Sequence, residues 1–391
     1  MATTVFSADS HVIEPPEMWA ERIDPKYRDQ APRLEYDIDG KKGGYFVCEG
    51  IKPIPIAKFF ATGLTTDLEK WKEWTEGGMK FAPKSVYDPA ERLKEQDIDH
   101  VDGELLYPTM GMMLFRIAND ELKAASLAAM NSWLAEYCAH SPDRLVGVGA
   151  VSLHDVPAAI RELERTRKLG LKGMMVTGNP PKGEDFSARL YDPFWAAVQD
   201  LDIKITMHDL VSRDKAAFVN NLGVMGFFLL PMEVQATLAG LILGGVFDRF
   251  PKLKFISAEN DISWFPHFMY RLDHGWEQLG KRYVAEGTQW DLELKPSDYV
   301  KRNLWATFQF EGKANLEYVA EIMGADRVMW GSDYPHPDST WPHSQEHLSD
   351  ALSTLAPDDR EKIVGGNVMN LYDIKLPPKE ARLETAIAAN F

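Results

Sequence analysis

Apolar residues follow two alternating rhythms along this chain. Short, nearly continuous apolar and β-branched runs recur as "TVFSAD" (4–9), "DGELLYP" (102–108), "LVGVGAV" (145–151) and "LKGMMVTG" (171–178). The series continues with "IKITMH" (203–208), "LKFISAE" (253–259), "NLWATFQ" (303–309) and "RVMWGSD" (327–333). Between them lie segments with apolar residues at three-to-four spacing, such as "DPAERLKEQDID" (88–99), "ELKAASLAAMNSWLAEYCAHSP" (121–142) and "VPAAIRELERTRKLG" (156–170). "YDPFWAAVQDLD" (191–202) and "EVQATLAGLILGGVFDRFPK" (233–252) follow the same period, which is that of an amphipathic helix. Strands apolar on both faces, alternating with helices, signal a parallel sheet covered on both sides. Eight such units predict an α/β fold, a closed (β/α)8 TIM barrel. An open doubly wound sheet is the second reading, but the chain has neither its GxGxxG fingerprint nor a P-loop.

The first unit breaks the rhythm, because roughly a hundred residues separate the first run from the second, far beyond an ordinary connection. Residues 20–85 are rich in Gly, Pro and aromatics and read as an insertion. Leaving the carboxyl end of strand one, it is expected near the active-site mouth as a lid or substrate wall, with a solvated decoration or oligomer contact as the equal alternative. The whole chain, 1–391, is expected to be a single barrel domain, with 374–391 as a C-terminal arm.

Composition narrows the function. With 391 residues, 45% of them hydrophobic, the chain can build one large core. A net charge of −16 disfavours a nucleic-acid partner, since a phosphate-binding surface needs surplus Lys and Arg. Cys48 and Cys138 have no CxxC spacing and make no disulfide framework, which fits a reducing cytoplasm. No basic, apolar leader and no apolar run of about 18 residues occurs, so no membrane association is expected. A small-molecule substrate and a homodimer or higher homo-oligomer are the expected partners.

Barrel enzymes place their chemistry at the carboxyl ends of the strands. Strand one ends in Asp9 and His11, which at i and i+2 point to one side of an extended chain. Strand five ends in His208, strand six in Glu259 and strand eight in Asp333. Burying such groups together is costly unless a cation compensates them. Asp9, His11, His208 and Asp333 form a mixed nitrogen and oxygen donor set suited to one divalent metal, Zn²⁺ first, with Mn²⁺ or Fe²⁺ tolerated. Glu259 is expected to act as a second acid/base or to orient His208. Tyr107, Met112, Phe308 and Phe310 near strand ends point to an apolar, aromatic-binding pocket. His336 and Trp341 lie on the loop "DYPHPDSTWP" and are expected to contact substrate, with a rigid Pro-rich loop as the competing account. Glu14 is expected only to cap the turn that follows it.

At these residues the chain resembles a known family. "DSHVIEPPEMW" at the start, "LLYPT" at 105–109, His208, "DRFPKLKFISAEN" and "RVMWGSDYPHPDSTWP" resemble the amidohydrolase-related family, the superfamily branch that includes aminocarboxymuconate semialdehyde decarboxylase. The resemblance runs from about residue 5 to 375. It implies that Asp9, His11, His208 and Asp333 bind one catalytic metal. Two departures stand out. The family's HxH reads Asp9-Ser10-His11 here, so that His11 either ligates or faces substrate, and Glu259 occupies the sixth-strand position where many of the family's decarboxylases carry a catalytic His. A metal-dependent hydrolase is therefore expected, attacking a C–N or C–O bond of a small cyclic or aromatic substrate through a metal-activated water, with Asp333 as base and His208 and Glu259 beside it. The alternative is a nonoxidative, metal-dependent decarboxylase of an aromatic carboxylic acid. A barrel that only binds a ligand is a third reading, disfavoured because all four candidate donors are kept.

Overall fold

Each of the eight apolar runs carries one strand of a single parallel sheet. In chain order the strands are β1 (Phe6–Val12), β2 (Arg33–Ile38), β3 (Lys41–Cys48), β4 (Ile51–Pro55), β5 (Gly103–Pro108) and β6 (Leu145–Ala150). They continue with β7 (Gly173–Met175), β8 (Lys204–His208), β9 (Phe255–Ala258), β10 (Leu304–Phe308) and β11 (Val328–Trp330). The computed structural model describes residues 3–62, 67–180, 185–208, 211 and 223–377. The order β1-β5-β6-β7-β8-β9-β10-β11 is parallel at every step. The chain beyond β11 lies along β1 and closes the ring: Asp333 N–H donates to the Asp9 carbonyl (2.8 Å) and His11 N–H to that of Tyr334 (2.7 Å).

Every residue of these eight strands is buried, as a sheet covered on both faces requires. The helices begin where their sequences offer caps. Asp88 accepts from the Ala90 and Glu91 amides ahead of Pro89–Ile98, Asn119 from Glu121 and Leu122, and Asp155 from Ala158. One large core cluster joins the first three barrel strands to the insertion through Phe6, Trp19, Phe46 and Phe60. The other packs Trp195, Phe255, Tyr299 and Trp330 around the later strands.

Two boundaries differ from the sequence reading. β1 runs on to Val12, because the segment after β11 supplies a carbonyl to His11 and holds it extended. The fifth helix starts at Gly223, ten residues before the periodic segment, and carries Pro231 inside it. The described residues between β1 and β5 hold their own structure. β2, β3 and β4 form an antiparallel sheet, and Asp39 and Gly40, both with positive φ (50° and 75°), make the two-residue turn between β2 and β3. That Asp-Gly pair was a readable hairpin signal. Of the C-terminal segment, 378–391 lies outside the described residues.

Candidate functional site

The structure brings Asp9, His11, His208, Glu259 and Asp333 together at the carboxyl ends of β1, β8, β9 and β11. The register between β1 and β5 shifts between Ser7 and Ser10, a bulge in which one extra β1 residue is accommodated beside Asp9 and which re-aims the side chains there. Glu259 (φ 52°) and Asp333 (φ 56°) follow their strands in the left-handed region, a conformation non-glycine residues hold only where the surroundings impose it.

The donor atoms crowd one point. His11 Nε2 stands 3.2 Å from Asp333 Oδ1, 3.6 Å from Asp9 Oδ1 and 3.7 Å from Glu259 Oε2. His208 Nε2 stands 3.3 Å from Asp9 Oδ1 and 3.5 Å from Glu259 Oε2. Burial alone would raise the Asp9 carboxyl, but His208 and His11 outweigh it and leave the group below its ordinary value. At Asp333 burial again acts upward and is overcome by His336 and His11, which hold the carboxyl well below the usual carboxylate range. Burial pushes the His11 imidazole down, yet Asp333 and Asp9 leave it net raised.

Neighbouring groups fix these positions, and several of them gave no sequence signal. Thr307 Oγ1, on β10, donates to Asp9 Oδ2 (3.2 Å) and accepts from Glu259 N–H (2.9 Å), which turns Asp9 Oδ1 toward the histidines. Beneath them Ser7, Ser10 and Ser332 share a ring of hydroxyl contacts of 2.9 to 3.3 Å that ties β1 to the chain after β11. Arg92 is fully buried, forks onto Glu104 (2.7 and 3.1 Å), and reaches the His11 and Tyr334 carbonyls at 2.8 and 3.3 Å. One guanidinium thus holds both seams of the closing strand pair.

The expected substrate residues divide. Tyr107 is buried on β5 with its ring 4.9 Å from that of His208, and Met112 is buried in the short helix Met110–Met113. His336 stacks on His11 with ring centroids 4.0 Å apart, places Nδ1 2.9 Å from Asp333 Oδ1 and has Thr109 Oγ1 3.3 Å from Nε2. Trp341 instead packs on Tyr334 (5.1 Å), beside a small cavity with Arg92, Gln96 and Asp99. Phe310 is 53% exposed, with its ring edge-on to His347. Neither is brought to the cluster. Glu14 does not cap the turn after β1; its oxygens accept from the Met110 and Gly111 amides at 2.9 and 2.8 Å. That contact spans about a hundred residues of sequence and follows from the parallel pairing of β1 with β5, Val12 beside Pro108.

The cluster fits a divalent metal ion. Neither ring nitrogen of His11 and neither oxygen of Asp333 has an aligned hydrogen bond among the described residues although all are buried, and His11 Nε2 and Asp333 Oδ1 stand within the crowd of donors. Donors about 2.1 Å from one ion lie about 3 to 3.5 Å from one another, close to the spacings above. Asp9, His11 and His208 make one mutually close set, and His11, Glu259, Asp333 and His336 another. No helix among the described residues is long and apolar enough to cross a membrane.

Comparison with known proteins bears directly on the chemistry. The amidohydrolase family model matches residues 80–374. The gamma-resorcylate decarboxylase of Rhizobium radiobacter is 28% identical over 299 residues, covering 72% of this chain and 86% of the relative. An amidohydrolase of Mycobacterium avium subsp. paratuberculosis shares the fold with a TM-score of 0.75 at 21% identity, over 95% of this chain and all of that one. A dihydroxybenzoic acid decarboxylase of Polaromonas sp. JS666, solved with bound manganese and 2-nitroresorcinol, superposes with a TM-score of 0.66 at 20% identity, over 95% of this chain and 97% of that one. These decarboxylases overturn the expected hydrolysis. That expectation leaned on the missing sixth-strand imidazole, and His336, expected only to contact substrate, puts another imidazole at the cluster, stacked on His11 and facing Asp333. From its matched barrel and the donor set at the strand ends, this chain belongs to the amidohydrolase family.

Proposed function

We propose that this protein is a metal-dependent, nonoxidative decarboxylase of a small aromatic carboxylic acid with an oxygen substituent beside the carboxylate. The observation that carries this reading is the similarity to a decarboxylase along 72% of the chain, in a molecule whose strand ends gather three carboxylates and two imidazoles. Asp9, His11, His208 and Asp333 would hold the ion, and manganese is favoured over zinc because the Polaromonas decarboxylase with this fold was solved with manganese. When bound, such an ion would supply a Lewis acid that anchors the substrate carboxylate and its neighbouring oxygen and favours that oxygen's deprotonated, electron-donating form.

The chain's own groups supply the proton. His336 Nδ1 stands 2.9 Å from Asp333 Oδ1 at the edge of the donor cluster, and this pair is placed to hand one proton to the substrate. The proton adds to the ring carbon that bears the carboxylate. The bond to the carboxylate carbon then breaks, its electron pair returns to the ring, and carbon dioxide leaves; a proton from water restores the pair. Tyr107 and Met112 form apolar walls. The 20–85 segment serves as the substrate-side wall, because Thr62 Oγ1 bonds the Pro335 and His336 carbonyls and the Phe59 ring lies 6.5 Å from that of His336. The buried free thiols of Cys48 and Cys138 fit a reducing cytoplasm, and exposed Phe228 and Met232 fit a homo-oligomer.

The test is to load the purified protein with Mn²⁺ and offer a panel of 2-hydroxy- and 2,6-dihydroxybenzoates. Carbon dioxide release is expected, and in heavy water one deuterium should appear at the carbon that lost the carboxylate. If the ion is bound and no member of the panel releases carbon dioxide, the reading is wrong.

A further inference from the structure

Glu259 stands where the chain departs from its family's sixth-strand histidine, and the geometry gives the departure a purpose. Its Oε2 lies 3.5 Å from His208 Nε2 and 3.7 Å from His11 Nε2. These spacings match those of Asp9 Oδ1 to the same two nitrogens, 3.3 and 3.6 Å. Glu259 therefore faces the histidine pair much as Asp9 does, from the end of a different strand, β9. It also belongs to a mutually close donor group with His11, Asp333 and His336.

The backbone is built to hold it there. Glu259 N–H is fastened to Thr307 Oγ1 at 2.9 Å, and that same hydroxyl reaches Asp9 Oδ2. Asn260 is anchored by its side-chain amide to the Met207 and Ala258 carbonyls at 3.1 and 2.6 Å, and its own carbonyl accepts from Trp264 Nε1 (2.7 Å). Ile262 N–H donates to the buried Glu311 at 2.6 Å. The turn 259–262 is thus pinned to β8, β9 and the loop after β10, and Thr307 couples two acidic residues on different strands.

We infer that Glu259 is a fifth protein donor to the metal, completing a shell of three carboxylates and two imidazoles that selects Mn²⁺ over Zn²⁺. The inference rests on the metal-dependent reading above. Three carboxylate oxygens make the shell harder and leave it one negative charge after a divalent ion is bound. Five donors also exceed the four of a closed zinc site, whereas manganese accepts six-coordinate, oxygen-rich surroundings. Glu259, 13% exposed, is the least buried of the five donors.

The experiment is metal binding, read without turnover. Apo protein is titrated with Mn²⁺ and with Zn²⁺ against a fluorescent chelator, for wild type, Glu259→Gln and Glu259→His, with circular dichroism recorded on each. Glu259→Gln, which keeps shape and removes the charge, should weaken Mn²⁺ at least tenfold and Zn²⁺ much less, so the affinity ratio moves toward zinc by about tenfold. Glu259→His should retain zinc and lose manganese. Unchanged Mn²⁺ affinity in Glu259→Gln overturns the inference, and so does equal weakening of both ions, the pattern of a residue that only orients His208. If wild type binds about one Mn²⁺ per chain, the metal-dependent reading stands whichever way the variants fall. If it binds neither ion, both fail together.

Discussion

Asp333 concentrates the most chemistry in one side chain. It faces His11 at 3.2 Å and His336 at 2.9 Å, and these neighbours keep it ionised despite complete burial. Asp333→Asn should lower turnover by at least about a hundredfold, the scale of a lost proton-transfer group, with an unchanged circular dichroism spectrum; activity within tenfold of wild type would remove Asp333 from the proton path. Glu311 behaves oppositely. Burial, reinforced by Asp261, pushes its carboxyl up from 4.5 to about 7, against the backbone amides of Ile262, Glu311 and Gln309. The folded state thus holds this proton between about pH 4.5 and 7 while the unfolded chain releases it. Stability is therefore fully present below the lower value and falls as pH rises to the upper one, by up to about 3 kcal/mol. Glu311→Gln should remove this loss: urea midpoints of wild type and variant should converge at pH 4.5 and separate at pH 8 in the variant's favour, and a constant difference would contradict the assignment.

At the scale of elements, the decisive contact is between β1 and the chain leaving β11. A Cβ on Gly331 would stand 2.4 Å from Asp9 Cβ and 3.2 Å from the Asp9 backbone, so the two segments approach only because that residue is glycine. Gly331→Ala should cost about 1–3 kcal/mol and weaken metal binding as well, because the atom it strikes belongs to a donor residue. Loss of stability with unaltered metal affinity would show that Asp9 is free to move. The same seam shows the limit of reading strands singly. The Asp9 and His11 alternation is local and visible in the sequence, but the bulge beside Asp9 and the carbonyl that keeps His11 extended are supplied by strands far away in the chain.

For the whole molecule, the cost of the site is electrostatic. Asp9 and Asp333 are fully buried and Glu259 nearly so, around two imidazoles, and a bound cation offsets their mutual repulsion. Saturating Mn²⁺ should stabilise the fold by about 4 kcal/mol at a thousandfold excess over its dissociation constant. Stripping the ion with a chelator should then lower the thermal midpoint by roughly 5 °C, and re-addition should restore it. An unmoved midpoint would mean that the cluster is stable as it stands, with protons in place of the ion.

The barrel was legible in the sequence because its signals are local: buried strands read as apolar runs, helices repeat at 3.6 residues, and Asp88, Asn119 and Asp155 announce helix starts. Asp9, His11, His208, Glu259 and Asp333 were legible as a set because they stand at the ends of four strands, two of them on β1, and a barrel sends all strand ends to one face. The tertiary structure alone decided what the loops do. It stacks His336 on His11, turns Trp341 onto Tyr334, leaves Phe310 at the surface, threads Thr307 between Asp9 and Glu259, and brings Glu14 to a helix start about a hundred residues away. Strand pairing, closure of the ring and loop paths set these placements, most of them between groups distant in sequence, and neither periodicity nor spacing encodes them.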